Sequence, residues 1–261
     1  MEEESTVVLG GGITGLSIAF LKNLKVITDR IETQKNGPLY VHNTPQTRKL
    51  VQKLGIPYST KIVRVGYMYH GSIYSTMSRA MKMEYSMKTR GDVVPTAASC
   101  TFEAIDIDFS TVIQALYDEV DIVYDRIKKI YPKAHVLIGR KNRYKYNTLI
   151  STIPAPVFAT IVAPTMQNDL RGVPLSYIVT TNRNKKLWEW DYIYCVDKDV
   201  KAFRIVPLEF PKVELEIPGA LPPPWKIIGG KITYPEDILP AGRWARWKDG
   251  WMLHHELKEW M

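Results

Sequence analysis

The chain opens on a short, β-branched apolar run, Thr6-Val7-Val8-Leu9, that stops at Gly10. A run of this length bounded by glycine predicts a buried strand. Ile13 to Asn23 follows with Leu16, Ile18, Ala19, Phe20 and Leu21, apolar enough for a helix packed on a sheet. Lys25-Val26-Ile27-Thr28 predicts a second strand closing at Asp29, so residues 6–29 form one β-α-β unit. Gly37-Pro38 breaks the pattern. Thr44 to Leu54 then predicts a helix, with Thr44 as N-cap and Pro45 at the first helical position, where the missing N–H of proline costs nothing.

Between Thr60 and Ala98 the character changes. Tyr67, Tyr69, Tyr74 and Tyr85 crowd together with Met68, Met77, Met81, Met83 and Met87. The basic residues Lys61, Arg64, Arg79, Lys82, Lys88 and Arg90 stand against Glu84 and Asp92, so six minus two leaves +4. Two readings stand side by side: an inserted substrate-binding cap, or a β-meander whose methionines fill gaps in a core.

Further along, Phe109 to Leu116 predicts a helix and Asp121 to Ile130 a strand. Val136–Gly139 and Thr148–Thr152 predict two more, ahead of Pro154 and Pro156. Val173 to Val206 alternates in the manner of further strands, Ala220 to Pro224 is a proline-rich connection, and Trp225 to Met261 returns to strand, loop and helix. The expected architecture is α/β. A Rossmann-like, three-layer domain on a parallel sheet is assembled from residues 1–58, 100–160 and 225–261, and a smaller α+β or β-rich domain comes from 59–99 and 161–224.

Composition bounds this picture without supplying a function. The 261 residues are 45% hydrophobic and 24% charged, enough for a substantial core, and exclude a collagen-like, disordered or disulfide-built chain. Thirty-five Lys and Arg against 27 Asp and Glu leave +8, which favours anionic partners; the charge reads as spread, with no dense run. Cys100 and Cys195 suggest neither a disulfide framework nor a metal site. The acidic start Met1-Glu2-Glu3-Glu4-Ser5 is unlike a signal peptide, and no apolar run approaches the roughly 20 residues of a membrane helix. These features point to a soluble cytoplasmic protein.

Gly10-Gly11-Gly12-Ile13-Thr14-Gly15 carries the chemistry. It satisfies G-x-G-x-x-G between a predicted strand and a predicted helix. In this arrangement Gly10 makes the tight turn, Gly12 lets a pyrophosphate approach the backbone, Gly15 lets helix and strand pack closely, and the N–H groups near Thr14 face the phosphates. Asp29, 19 residues after Gly10 and followed by Arg30, is placed to accept the ribose hydroxyls of an adenosine. The same pattern serves NAD and FAD.

Four segments in order resemble the FAD-binding flavoproteins that include the amine oxidases and UDP-galactopyranose mutase. They are Val8 to Phe20; Gly37-Pro38-Leu39-Tyr40-Val41-His42-Asn43-Thr44, matching at Gly37, Pro38 and His42; Asp121 to Ile130 with Tyr146 to Phe158; and Gly242-Arg243-Trp244-Ala245-Arg246-Trp247-Lys248 followed by Met252. The resemblance covers about half the chain and leaves the substrate domain unmatched. It implies FAD as cofactor, His42 beside the flavin ring, Ile127 at the position whose backbone meets the adenine, and Gly242, Arg243 and Met252 along the isoalloxazine and ribityl chain. On it, His42 and Arg243 are the catalytic candidates of an FAD-dependent oxidoreductase or isomerase acting on an anionic substrate, such as an amine-bearing nucleotide or modified base.

Alternatives are a nucleotide-sugar mutase, a catalytically silent nucleotide-binding module, and a basic nucleic-acid binder whose Tyr67, Tyr69 and Tyr74, interleaved with Arg64 and Arg79, stack on bases. His254 and His255 lack a partner cluster at ligand spacing and read as solvated or packed residues. Trp244, Trp247, Trp251 and Trp260 read as packing residues, with contact to the flavin the alternative for Trp244 or Trp247. No metal site is expected.

Overall fold

A computed structural model describes residues 3–31, 40–89, 101–163, 168–219, 225–243, 245–246 and 252–261. Gly37, Pro38, Cys100, Trp244, Trp247, Trp251 and the segment 220–224 lie outside the described residues.

The first unit is β1 (Glu3–Gly11), α1 (Ile13–Lys22) and β2 (Lys25–Ile31), with β2 lying parallel beside β1. After β3 (Val41–His42), α2 (Pro45–Lys53) begins as its sequence dictates: Thr44 and Thr47 form a reciprocal capping box with Pro45 in the first turn. Next come β4 (Ser59–Tyr69), β5 (Ser72–Tyr74), α3 (Arg79–Thr89), β6 (Thr101–Asp106) and α4 (Phe109–Glu119). The expected single strand over Asp121–Ile130 is two, β7 (Ile122–Tyr124) and β8 (Ile127–Tyr131). The buried carboxylate of Asp125 parts them. It accepts the backbone N–H groups of Arg140, Lys141 and Asn142 and the Tyr144 hydroxyl, and that demand turns the chain. Then follow β9 (Val136–Gly139), β10 (Arg143–Ser151) and α5 (Ala155–Ile161). The remainder comprises β11 (Arg171–Thr181), β12 (Tyr192–Cys195), β13 (Arg204–Pro207), β14 (Lys212–Pro218), β15 (Trp225–Gly229), β16 (Ile238–Pro240) and α6 (Leu253–Trp260).

These strands make two sheets. In the seven-stranded sheet, β7, β2, β1, β10 and β16 run parallel, and β8 and β9 hang antiparallel from the start of β10. Alternation along β1 builds three layers. Val8 faces α1, α2, α4 and α6 through Leu16, Leu50, Leu116 and Leu257. Val7 and Leu9 face the β8–β9 meander and α5 through Ile130, Leu137 and Phe158. Beginning, middle and end of the sequence thus meet in one sheet. This is the Rossmann-like α/β architecture expected from the sequence.

The nine-stranded sheet runs β15-β11-β14-β13-β12-β4-β6-β3, with β5 folded back on β4. It takes in β3, β6 and β15, which the sequence division had grouped with the other unit. The crowded insertion is a hairpin followed by a helix. Its Met81 is buried, whereas Met83 and Met87 are exposed. Tyr67 is 1% exposed, so it is a core residue and not a stacking platform for bases. The Lys88 ammonium donates to the carbonyls of Cys195 and Ala202, both at 2.6 Å, pinning α3 to the sheet, and burial pulls it down to about 8. Lys61 pairs with Asp106 at 2.8 Å. Much of the +4 of that insertion is therefore engaged locally or turned to solvent.

Candidate functional site

The glycine turn sits between β1 and α1. Gly10 has φ +117° and Gly12, extended at φ −77°, caps α1 with no side-chain partner and no acidic residue in the first turn. A Cβ on Gly15 would stand 2.1 Å from the Gly10 carbonyl oxygen, so turn and helix touch through bare backbone. Thr152, at the end of β10, closes the turn from behind by donating from its hydroxyl to the Leu9 carbonyl at 3.0 Å. Gly11 is differently employed: its N–H donates to the Thr28 hydroxyl at 3.1 Å, tying β1 to β2. Asp29 and Arg30 lie just beyond, exposed, at the end of β2. Asp125 donates its N–H to the Thr28 carbonyl at 2.9 Å and so brings the start of β8 alongside. There Ile127 buries its side chain in the core while its backbone pairs with Gly139.

The end of the chain returns to this turn. Gly242, at φ +86°, lies so close to α1 that an added Cβ would meet the Thr14 side chain at 3.1–3.3 Å. Behind it, the fully buried Glu256 of α6 accepts the Gly242 N–H at 2.8 Å, a pair of bonds from Arg246 at 2.8 and 2.9 Å, and the Trp260 indole N–H at 3.0 Å. Arg246 also reaches Glu259. Sequence reasoning did not single out Glu256; an acid in a predicted terminal helix carries no local sign of burial. Half-buried Arg243 follows Gly242 and lies near enough to Tyr177 of β11 for its charge to oppose the upward push of burial and Glu216 on that phenol.

His42, on β3, stacks on Phe102 of β6 with ring centroids 4.1 Å apart and 14° between planes. Its ring is 5.1 Å from that of His254, which is 4.1 Å from His255. His254 thus meets His42 across the fold, and both terminal histidines are half-buried, packed residues. His255 is committed locally, accepting the Met252 N–H at Nδ1 at 3.0 Å and so capping α6. Met252 itself is 39% exposed. Burial, then the neighbouring His255, lowers the pKa of both His42 and His254, the latter to about 4. No group of three or more His, Cys, Asp or Glu among the described residues is placed to hold a metal ion.

Depression of His254 has a thermodynamic consequence. The unfolded chain binds a proton near the ordinary 6.5 and the folded chain only near 4, so stability is held above 6.5 and lost as pH falls through that window. After discounting for partial exposure the loss is about 1–2 kcal/mol. Urea titrations across this range are expected to show a shallower acid limb in His254→Gln than in the parent, and identical limbs would refute the assignment.

Directly paired residues on neighbouring strands share a face, and the row Tyr177, Glu216, Arg204, Tyr194, Tyr67 crosses five strands of the second sheet in this way. Successive pairs Val63–Phe102 and Ala104–His42 carry the same face on to β3. The face with His42 at one end and the neighbour of Arg243 at the other is thus lined by tyrosines and by the Arg204–Glu216 ion pair, with Glu214 buried beside it. Sequence reasoning passed over these residues too, apart from Tyr67 and His42. Alternation such as Glu214-Leu215-Glu216 reads as a solvent-facing strand, and only a second layer of structure makes its polar side interior.

No family model matches the chain, and no curated protein is similar to it in sequence. Solved structures are similar in fold. A reduced UDP-galactopyranose mutase superposes with a TM-score of 0.65 at 11% identity, over 98% of this chain and 94% of that one. The p-nitrophenol 4-monooxygenase of Pseudomonas putida gives 0.54 at 15% identity, over 93% and 73%. A putrescine oxidase bound to putrescine gives 0.53 at 10% identity, over 83% and 76%. The fold is the one these enzymes share, and no helix among the described residues is long and apolar enough to cross a membrane.

Proposed function

We propose that the protein is an FAD-dependent enzyme, an oxidoreductase or a redox-neutral isomerase, whose substrate meets the cofactor between the two sheets. The observation that carries this reading is the convergence of the first and last segments at the uncapped start of α1, where Gly15 lies under the Gly10 carbonyl and Gly242 packs on Thr14. An uncapped helix start without an acid suits a pyrophosphate, because the N–H groups and the helix dipole both favour negative charge. On this reading Gly10, Gly12, Thr14 and Gly15 hold the pyrophosphate. Asp29 and Arg30 address the ribose, and the Ile127 backbone the adenine. His42, Gly242, Arg243 and the α6 start at Met252 frame the ring. Gly11 contributes through its bond to Thr28, fixing the turn from outside.

Bound FAD would supply acceptance of an electron pair or covalent catalysis at its ring. The chain supplies orientation and proton handling. His42 stands neutral beside the ring and is able to accept a proton, and Arg243 sets a positive charge where negative charge develops. Tyr177, half-buried on that face, suits a substrate bearing an amine, since the face of an aromatic ring attracts a cation.

The purified protein is expected to be yellow and to release FAD on heating. A colourless protein that also takes up no added FAD would overturn the reading. Bleaching of the bound flavin by candidate amines under anaerobic conditions, against no bleaching, separates an oxidase from an isomerase.

A further inference from the structure

Residues 126–145 carry eight lysines and arginines and no acid, a density that alternation with apolar residues conceals in the sequence. All eight are exposed. The β8–β9–β10 meander organises them. Its inner face is the core row Ile130, Leu137, Tyr144. The outer face, offset by one residue, carries two cross-strand rows: Lys129, Ile138, Arg143, then Tyr131, Val136, Lys145. Cations thus line both outer strands, half-buried aliphatic groups lie between them, and Tyr131 is 43% exposed at one edge. Arg126, Arg140 and Lys141 extend the charge past one end of the rows, and Lys133 past the other. Nearby acids include Glu3, whose backbone pairs beside Lys145, Asp237, 3.8 Å from His135, and the buried Asp125, whose carboxylate is taken up by the backbone N–H groups of Arg140 and Lys141.

From this geometry we infer that the outer face of the meander binds single-stranded nucleic acid, in a way that involves neither the glycine turn nor the proposed cofactor. A polyanion with regularly spaced charges complements cations set two strand spacings, about 10 Å, apart. An exposed tyrosine flanked by lysines gives a base a ring to stack on while its phosphates are neutralised. A lipid surface fits less well, since Val136 and Ile138 are half-buried between the cations and present no apolar wedge.

The test is fluorescence anisotropy of a labelled single-stranded oligothymidylate with the whole protein over a salt series. The combined variant Lys129→Gln, Arg143→Gln, Lys145→Gln is expected to weaken binding at least tenfold and to flatten the log–log salt slope by about 2, the release expected for three phosphate contacts. Tyr131→Ala is expected to weaken binding about tenfold with the slope unchanged. All four side chains are exposed, so folding is not at issue, and the visible spectrum should be the same in every variant. The control Arg183→Gln, Lys185→Gln, Lys186→Gln removes equal charge from an exposed loop after β11 and is expected to leave affinity within about twofold. Equal losses in both triple variants, no binding by the parent, or binding only to phosphatidylserine vesicles would each overturn the proposal.

Discussion

Replacing Glu256 with alanine is expected to lower stability by about 3–5 kcal/mol, because the change leaves half of a buried ion pair behind. Its carboxylate is the common acceptor for the Gly242 N–H, the Arg246 guanidinium and the Trp260 indole. Arg246 would keep its contact with the half-exposed Glu259 but lose the buried carboxylate. In a chain of this size the loss corresponds to a fall in Tm of about 10 °C. Release of Gly242 from its position against Thr14 should also loosen any cofactor held there. Glu256→Gln preserves shape and one acceptor and should lie between the two. Thermal melts of the three proteins decide the point, and a shift under about 2 °C for the alanine variant would mean that the carboxylate anchors nothing.

Gly15→Val is expected to have the second large effect, concentrated on the cofactor. Its Cβ would fall 2.1 Å from the Gly10 carbonyl oxygen, a backbone atom that cannot swing aside, so the turn must open. Overpacking of this kind costs about 1–3 kcal/mol in stability. Flavin retention should fall at least tenfold, which is about 1.4 kcal/mol. Gly55→Ala is the appropriate comparison. At φ +66° it bears the left-handed penalty of about 1–2 kcal/mol, but nothing lies within 4 Å of its Cβ, so flavin content should be unchanged. Equal flavin loss in both variants would assign the effect to general destabilisation.

What the sequence made legible was local. The strand, glycine turn and helix of residues 6–22, and the Thr44–Pro45 helix start, rest on spacings within a dozen residues, and there the expectations and the structure agree. The site beyond the glycine turn was legible only in fragments. His42, Phe102 and His254 come from three distant segments, so no spacing reveals that their rings meet. Tyr67 looked available to bases because a run of tyrosines among cations resembles an exposed platform, yet its strand lies mid-sheet beneath α3. The positive meander failed in the opposite sense: strand alternation dilutes charge along the sequence while concentrating it on one face.

The return of the last segment to the first also orders events during synthesis. Thr14 acquires its Gly242 neighbour, and α1 its packing against Leu257, only after more than 200 further residues have been made. Until then the nascent chain carries a glycine turn open on the side that α6 later covers. Until α6 has been made, the β-α-β unit holds apolar α1 residues such as Leu16 and Ala19 incompletely covered, a state in which chaperone engagement is favoured. The glycine turn is therefore complete only once the segment that carries Gly242 and α6 has been made.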